Sequence, residues 1–432
     1  LKNKPTTIKE LCEFIWYLED KYNLLDFEVD GVKVWQYIRM QFYYKLAEAT
    51  GVLSQPHSRL SNTDKIKHLF SFIKNSLIGN YFTLKQKDAI VLSHPRTVNV
   101  DGELIDIYTK YFIDELIECG KDILEFESAH LGVHKKQKQK FVHYTDWIAL
   151  VQRVYKQFLK VNIPSDKLEI LKRVEDEINS TCKSKIDLVA FAIKSIKTYK
   201  ANYKIYNKIF QKVKPKTYYT VVSYGQAPII KAAKDNGIEV VELQHGTFSK
   251  YHLGYSFPNR KKPLDYFPDK LYVWSEFWKK MIPLSIDEEF VLVDGFRYLE
   301  KQKSKFDHVE KKKNQLVVLS QGAIGNAIAQ KFLKHYDRFK EYDIKYKLHP
   351  GEFDRWQNYP ALKKLSEFDN VEIVKNEVPL YQLFAASSLQ IGVFSTALYE
   401  GVEFGCDTVL LDVNGIEYMD RFIELHGVEV LH

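Results

Sequence analysis

Apolar residues change their period along this chain, and the change divides it. In TIKELCEFIWYLEDKYN the positions Leu11, Phe14, Ile15 and Leu18 recur at helical spacing, and GVKVWQYIRMQFYYKLAEA repeats the pattern with Val34, Ile38, Phe42 and Leu46. Residues 1–80 therefore read as a helical N-terminal region, with a polar break at Pro56 and His57. A further stretch, KIKHLFSFIKNSLIGNYF, sets lysines beside apolar residues. Such a segment either packs on the body of the protein, the expected use, or lies on a membrane surface. From KDAIVLSHP onward the apolar runs become short and are closed by polar loops. They predict strands at 88–92, 122–128, 218–223 and 238–243, then in KLYVWSEFWKK and EFVLVDG. Helical stretches lie between them, including a long insertion at about 145–215. This βαβα rhythm predicts a parallel sheet covered on both faces.

A charge run then marks a boundary. Six lysines and two acids crowd residues 301–313 without a Gly or Pro. Beyond it NQLVVLSQG opens a second unit, with strands expected at 344–348, 371–375, 389–394 and 407–413. The expected fold class is α/β: two doubly wound, Rossmann-like domains, residues 81–300 and 301–432, facing a central cleft.

Composition narrows the chemistry. Charged residues make up 28% of the 432 and hydrophobic ones 45%, as in a globular protein. The net charge of +7 comes mostly from lysine. Close reading of nucleic acid calls for arginine forks, so no nucleic-acid partner is expected. Lysine beside an aromatic content of 14% suits an anionic substrate or an anionic membrane face. None of Cys12, Cys119, Cys182 and Cys406 pairs with another at CxxC spacing, which speaks against a disulfide scaffold or a cysteine zinc site and fits a reducing compartment. No apolar run approaches spanning length and no signal peptide opens the chain, which begins at Leu1. A cytoplasmic location is expected, with peripheral contact to the inner-membrane surface as an addition.

In open parallel sheets ligands bind beyond the carboxyl ends of the strands, so the loops there carry the candidates. They read Ser93-His94-Pro95-Arg96, Ser223-Tyr224-Gly225-Gln226, Gln244-His245-Gly246-Thr247, Ser275, Asp294-Gly295, Ser320-Gln321-Gly322, His349-Pro350-Gly351-Glu352 and Ser395-Thr396. GxGxxG, GxxxxGK[ST] and HExxH are all missing, so a dinucleotide oxidoreductase, a P-loop enzyme and a metal site are not expected. Ser395 and Thr396 open a helix whose N–H groups can hold phosphate, and Glu400 one turn on can reach sugar hydroxyls. A plain capped helix would look the same. With Ser320, Gly322, His349 and Glu352 they form the expected donor side. His245 is the candidate base, with Gly246 permitting a sharp turn. Asp101 and Asp106 are alternative bases. Arg96 with His94, and Lys250 with His252, are candidates for the acceptor side. Trp35 and Arg39, four apart on one helix, read as a core tryptophan capped by an arginine.

Three of these elements carry a resemblance. QHGT at 244–247, KLHPGE at 347–352 and STALYEGVEFG at 395–405 resemble motifs of the GT-B glycosyltransferases of bacterial capsule and lipopolysaccharide synthesis. That broad group includes sialyl- and Kdo-transferases and CDP-glycerol glycerophosphotransferases. The resemblance covers about residues 215–415. It implies a metal-independent enzyme without a resident cofactor, taking a CMP-, UDP-, GDP- or CDP-linked sugar as substrate and a glycan or lipid-linked glycan as acceptor. His349 would contact the donor phosphate, Ser395 and Thr396 would hold it, and Glu400 would bind ribose or sugar. The longer pattern His245-Gly246-Thr247-Phe248-Ser249-Lys250 is similar to that of polyol-phosphate transferases. Ser395-Thr396 with Glu400 departs from their Thr-Asp-Tyr-Ser-Ser run. A UDP-sugar 2-epimerase-like isomerase is the other alternative on two facing α/β domains.

Overall fold

A computed structural model describes residues 3–53, 71–77, 79–95, 97–100, 102–129, 134, 140–260, 263–281 and 284–432. The larger sheet takes strands β1 (Ala89–Leu92), β2 (Ile123–Glu127), β3 (Val142–Tyr144), β4 (Thr217–Thr220), β5 (Glu239–Leu243), β6 (Lys270–Val273) and β7 (Val291–Val293). Their spatial order is β7-β6-β5-β4-β1-β2-β3, and every pairing is parallel. The smaller sheet takes β8 (Lys312–Leu319), β9 (Asp343–Lys347), β10 (Val371–Val374), β11 (Ser387–Gly392), β12 (Asp407–Leu411) and β13 (Glu429–Leu431). Its order is β10-β9-β8-β11-β12-β13, again all parallel. Each sheet thus runs outward one way from its first strand and then reverses, the doubly wound pattern. Two such doubly wound units follow one another along the chain.

The strands follow from the buried runs. In β1, Ala89, Ile90 and Val91 are buried between helices on both faces, and β8 buries Gln315–Leu319. Of the strands in these two large sheets, β3 and β13 fell outside the sequence expectation. Both are three-residue edge strands, too short to show a pattern. The expected strand at 218–223 leaves the ladder after Thr220, where the chain turns toward Ser223. Among the described residues no helix is long and apolar enough to cross a membrane.

The N-terminal helices are not a body apart. Ile8–Lys21 and Val34–Thr50 share one apolar core with the long helices Ser165–Cys182 and Leu188–Val213, and with Tyr251 and Leu253 of the loop after β5. They also reach the second domain: the hydroxyls of Tyr43 and Tyr418 lie 2.9 Å apart, and the Asn414 amide donates to the Val52 carbonyl. Of the amphipathic stretch 65–82, residues 65–70 and 78 lie outside the described residues, and 71–77 are helical.

A buried ion pair sits at the centre of this core. Arg39 and Glu19 are 2% and 5% exposed. The guanidinium donates to both Glu19 oxygens, at 2.6 and 2.8 Å, and the Trp35 indole donates to the same carboxylate. Its remaining nitrogen donates to the backbone carbonyls of Leu253 and Ser256, and its face lies 4.2 Å from the Phe257 ring centroid. Arg39 therefore pins the loop 253–257, which the capped-tryptophan reading did not foresee. Removing one partner strands the other charge in a dry core. Arg39→Met should lower stability by about 3–5 kcal/mol in denaturant unfolding. Adding Glu19→Gln should restore part of that loss; an additive loss would show that the two charges are not coupled.

Candidate active site

The reversal of strand order opens a crevice in each sheet, between β1 and β4 in the first and between β8 and β11 in the second. The loops leaving those strands carry His94 and Tyr224 on one side, and Gln321, Ser395 and Thr396 on the other. The rims meet. A Cβ placed on Gly246 would lie 3.9 Å from Thr396 Oγ1, so the loop after β5 faces the start of helix Thr396–Glu403 across the domain boundary. Aromatic contacts hold this approach: Trp278 lies 4.4 Å from Tyr399 and Tyr298 lies 5.8 Å from Tyr381 between ring centroids. Between the walls is a cavity of about 280 Å³, lined by Trp274, Phe296, Lys303, Tyr399, Glu400 and His426 among others.

The first-domain side is a cage of rings around His245. His94 stacks on it at 6.4 Å, and Tyr108, Tyr224 and Tyr255 surround it at 6.1–6.4 Å. Burial, then the neighbouring His252 and His94, push the imidazole down to about 3, against a hydrogen bond to the Val221 backbone. At neutral pH the ring is therefore uncharged, and the same burial lowers its proton affinity. His252 is likewise pushed down, to about 4, chiefly by burial. Its Nδ1 accepts from the Gly254 N–H at 3.2 Å, and a Cβ on Gly254 would lie 2.4 Å from the Tyr224 ring. Asp106 is 1% exposed. Its carboxylate accepts from the His94 and Tyr108 N–H groups and from the Thr109 hydroxyl, so it braces the loop that presents His94. Lys250 is exposed at a separate cavity, about 290 Å³, shared with Glu417, Asp420 and Arg421. Arg96 and Asp101 lie outside the described residues.

On the second-domain side the buried groups support and the exposed ones present. Glu352, fully buried, accepts from the Ser320 hydroxyl and the His349 N–H, both at 3.0 Å. A Cβ on Gly325 would lie 1.6 Å from its Oε1, so the carboxylate occupies space that only glycine leaves. His349 is exposed, and its Nδ1 accepts from the Gly351 N–H at 3.1 Å. Neutral His349 therefore carries its proton on Nε2, a donor that a phosphate could use. Gly322 lies against that ring, where a Cβ would come within 2.9 Å of Nδ1. The Gln321 amide both donates to and accepts from the Phe394 backbone, joining the two loops of the crevice. Ser395 caps its helix by accepting from the Ala397 N–H. Glu400 accepts from the Tyr381 hydroxyl at 2.8 Å, and burial pushes its carboxyl up to about 7. Gly401 makes room for Gln390, whose Oε1 a Cβ would approach to 2.1 Å. Among the described residues no group of three or more His, Cys, Asp or Glu is placed to hold a metal ion.

The sequence reading did not single out Glu242 or Tyr255 as a pair. Glu242 is fully buried on β5, and the Tyr255 hydroxyl donates to its Oε1 while lying 3.4 Å from His245 Nδ1. The carboxyl is thus linked to the candidate base through one hydroxyl. Its only sequence signal was an acid inside the apolar run VVEL.

No protein-family model matches the chain, and no curated protein matches its sequence. Among solved structures it is similar to the UDP-GlcNAc 2-epimerase of Methanocaldococcus jannaschii, with 12% identity over 79% of this chain and 88% of that one and a TM-score of 0.46. It is similar to MurG of Acinetobacter baumannii at 8% identity, over 80% and 85% of the two chains, with a TM-score of 0.45. The calicheamicin glycosyltransferase CalG4 gives 14% identity over 81% and 86%, with a TM-score of 0.39. At these values the likeness assigns neither substrate nor reaction.

Glu242 makes the site sensitive to pH. Burial pushes its carboxyl from 4.5 up to about 7. Between those values the unfolded chain has ionised while the folded protein holds the proton, so stability falls as pH rises through the window and stays lower above it. The penalty is of the order of about 3 kcal/mol. Glu242→Gln should therefore raise Tm by a few degrees at about pH 8 and change it little at about pH 5. An equal change at both would show that the carboxyl does not titrate there.

Proposed function

We propose that this chain is a glycosyltransferase that moves a sugar from a nucleotide-linked donor to a hydroxyl of a bacterial surface glycan, of capsule or lipopolysaccharide type. The observation that carries the reading is the approach of Gly246 to Thr396, which sets the His245 cage opposite a helix start beside His349. In this reading the second domain holds the donor. The N–H groups of the helix start and His349 Nε2 receive the departing phosphate, where a positive helix end and a donor stabilise growing negative charge without a metal. Glu400, beside the interdomain cavity, takes ribose or sugar hydroxyls. His245, held in its ring cage opposite the helix start, accepts the proton of the acceptor hydroxyl as the oxygen bonds to the anomeric carbon. The acceptor is a glycan or a lipid-linked glycan, and the reaction belongs on the cytoplasmic side of the inner membrane. The donor is consumed as substrate, with no resident cofactor.

One observation favours a second reading, transfer of a polyol phosphate. The run His245-Gly246-Thr247 continues to Lys250, in the spacing of the pattern that polyol-phosphate transferases carry.

A thermal-shift panel of CMP, CDP, UDP and GDP tests the donor side, since a nucleotide that binds raises Tm with its concentration over Kd. One nucleotide should stand out. His349→Ala and Glu400→Ala should each weaken it about tenfold, or about 1.4 kcal/mol. Unchanged affinity in both variants would remove them from the donor site. His245→Ala should cut transfer by about 10²-fold or more at unchanged nucleotide affinity. Full turnover in that variant would end its assignment as base. Product formed from CDP-glycerol but from no nucleotide sugar would select the second reading.

A further inference from the structure

Among the described residues, the most exposed apolar side chains gather in two segments of the first domain. Among the described residues, seven of the fifteen exposed large hydrophobics fall in residues 73–82 and 150–158. The three most exposed are among them: Phe82 at 85%, Phe158 at 78% and Leu77 at 71%. Helix Asp146–Tyr155 turns Trp147 and Ile148 inward and leaves Leu150, Val151 and Val154 in solvent, so its outer side is apolar where a solvated helix would be polar.

Cross-contacts make these segments one surface. The Arg153 guanidinium lies over the Phe72 ring at 5.4 Å, joining that helix to residues 71–77. Lys204 of helix Leu188–Val213 donates to the Tyr155 hydroxyl at 2.7 Å. Lys212 of the same helix donates to the carbonyls of Tyr81 and Phe82. Charge in these segments is mostly of one sign, with Asp88 and the buried Asp146 at their edges. Residues 71–86, 147–160 and 204–216 contain ten Lys or Arg and not a single Asp or Glu. A chain that is 28% charged, with 56 acids against 63 bases, would place several acids in segments of that length.

We propose that this face docks the protein on an anionic phospholipid bilayer. Phe82, Leu77 and Phe158 enter the headgroup–acyl boundary, and the lysines and arginine around them meet lipid phosphates. An apolar patch alone would suit a second copy equally well. The excess of ten positive charges argues against that occupant, because a self-paired face would set like charges together. The inference stands on exposure and charge and does not rest on the transferase reading.

Vesicle sedimentation of the full chain tests it, with phosphatidylglycerol–phosphatidylcholine vesicles against phosphatidylcholine alone. The protein should bind the anionic vesicles, and added salt should weaken binding. Phe82→Ser with Phe158→Ser should reduce it roughly tenfold or more, and Lys160→Glu with Lys208→Glu should do the same through charge. These four side chains are exposed and outside the cleft, so nucleotide-induced thermal shifts should be unchanged and serve as the folding control. The proposal fails if the wild type ignores anionic vesicles, if it binds neutral ones equally, or if the double serine variant binds as before. It also fails if that variant instead abolishes a dimer seen by light scattering, since the occupant is then a second copy.

Discussion

One buried guanidinium connects the N-terminal helices to the loop at the centre of the cleft. Arg39, neutralised by Glu19, spends its remaining donors on the carbonyls of Leu253 and Ser256. Tyr255 lies between those two anchor points, and its hydroxyl bridges Glu242 and the edge of His245. A loop leaving a parallel strand has few backbone partners of its own, so its conformation must be imposed from outside. Here an ion pair in a dry core imposes it. Such a pair is costly to bury, and its benefit lies in fixing one geometry.

The second domain solves the same problem with a carboxylate. Glu352 ties Ser320 to the His349 backbone, Gln321 ties the neighbouring loop to Phe394, and Gly325 leaves the volume that the carboxylate fills. Asp106 does the equivalent for His94. The recurring device is a buried acid that accepts backbone N–H or hydroxyl donors and holds a histidine at the rim. Groups of this kind are conspicuous as polar residues after strands, yet their oxygens are occupied by the protein itself.

Much of the architecture was legible because parallel strands covered on both faces must be continuously apolar and must be followed by polar loops. β1, β5, β8, β11 and β12 were all visible on that ground. β3 and β13 were not, since a three-residue edge strand buries too little to leave a signature. The rim residues were visible as types: His245, His349, Ser395 and Thr396 stand after apolar runs. Which of them meet was not visible. Glu242 looked like an irregularity in a strand, and only the loop folding back through Tyr255 gives it a neighbour.

From residue order alone came two doubly wound domains, the helical start, the position of the polar rims and the excess of lysine, because each is a local property of period, composition or charge. Only three dimensions decided that helices 8–21 and 34–50 share a core with helices 165–213, that Glu19 answers Arg39, that Gly246 stands opposite Thr396, and that Phe82 and Phe158 are left exposed beside helix Leu188–Val213 and helix Asp146–Tyr155. Those pairings join residues up to hundreds of positions apart. Their partners are selected by packing and by the need to satisfy buried charge, neither of which leaves a local mark in a single sequence.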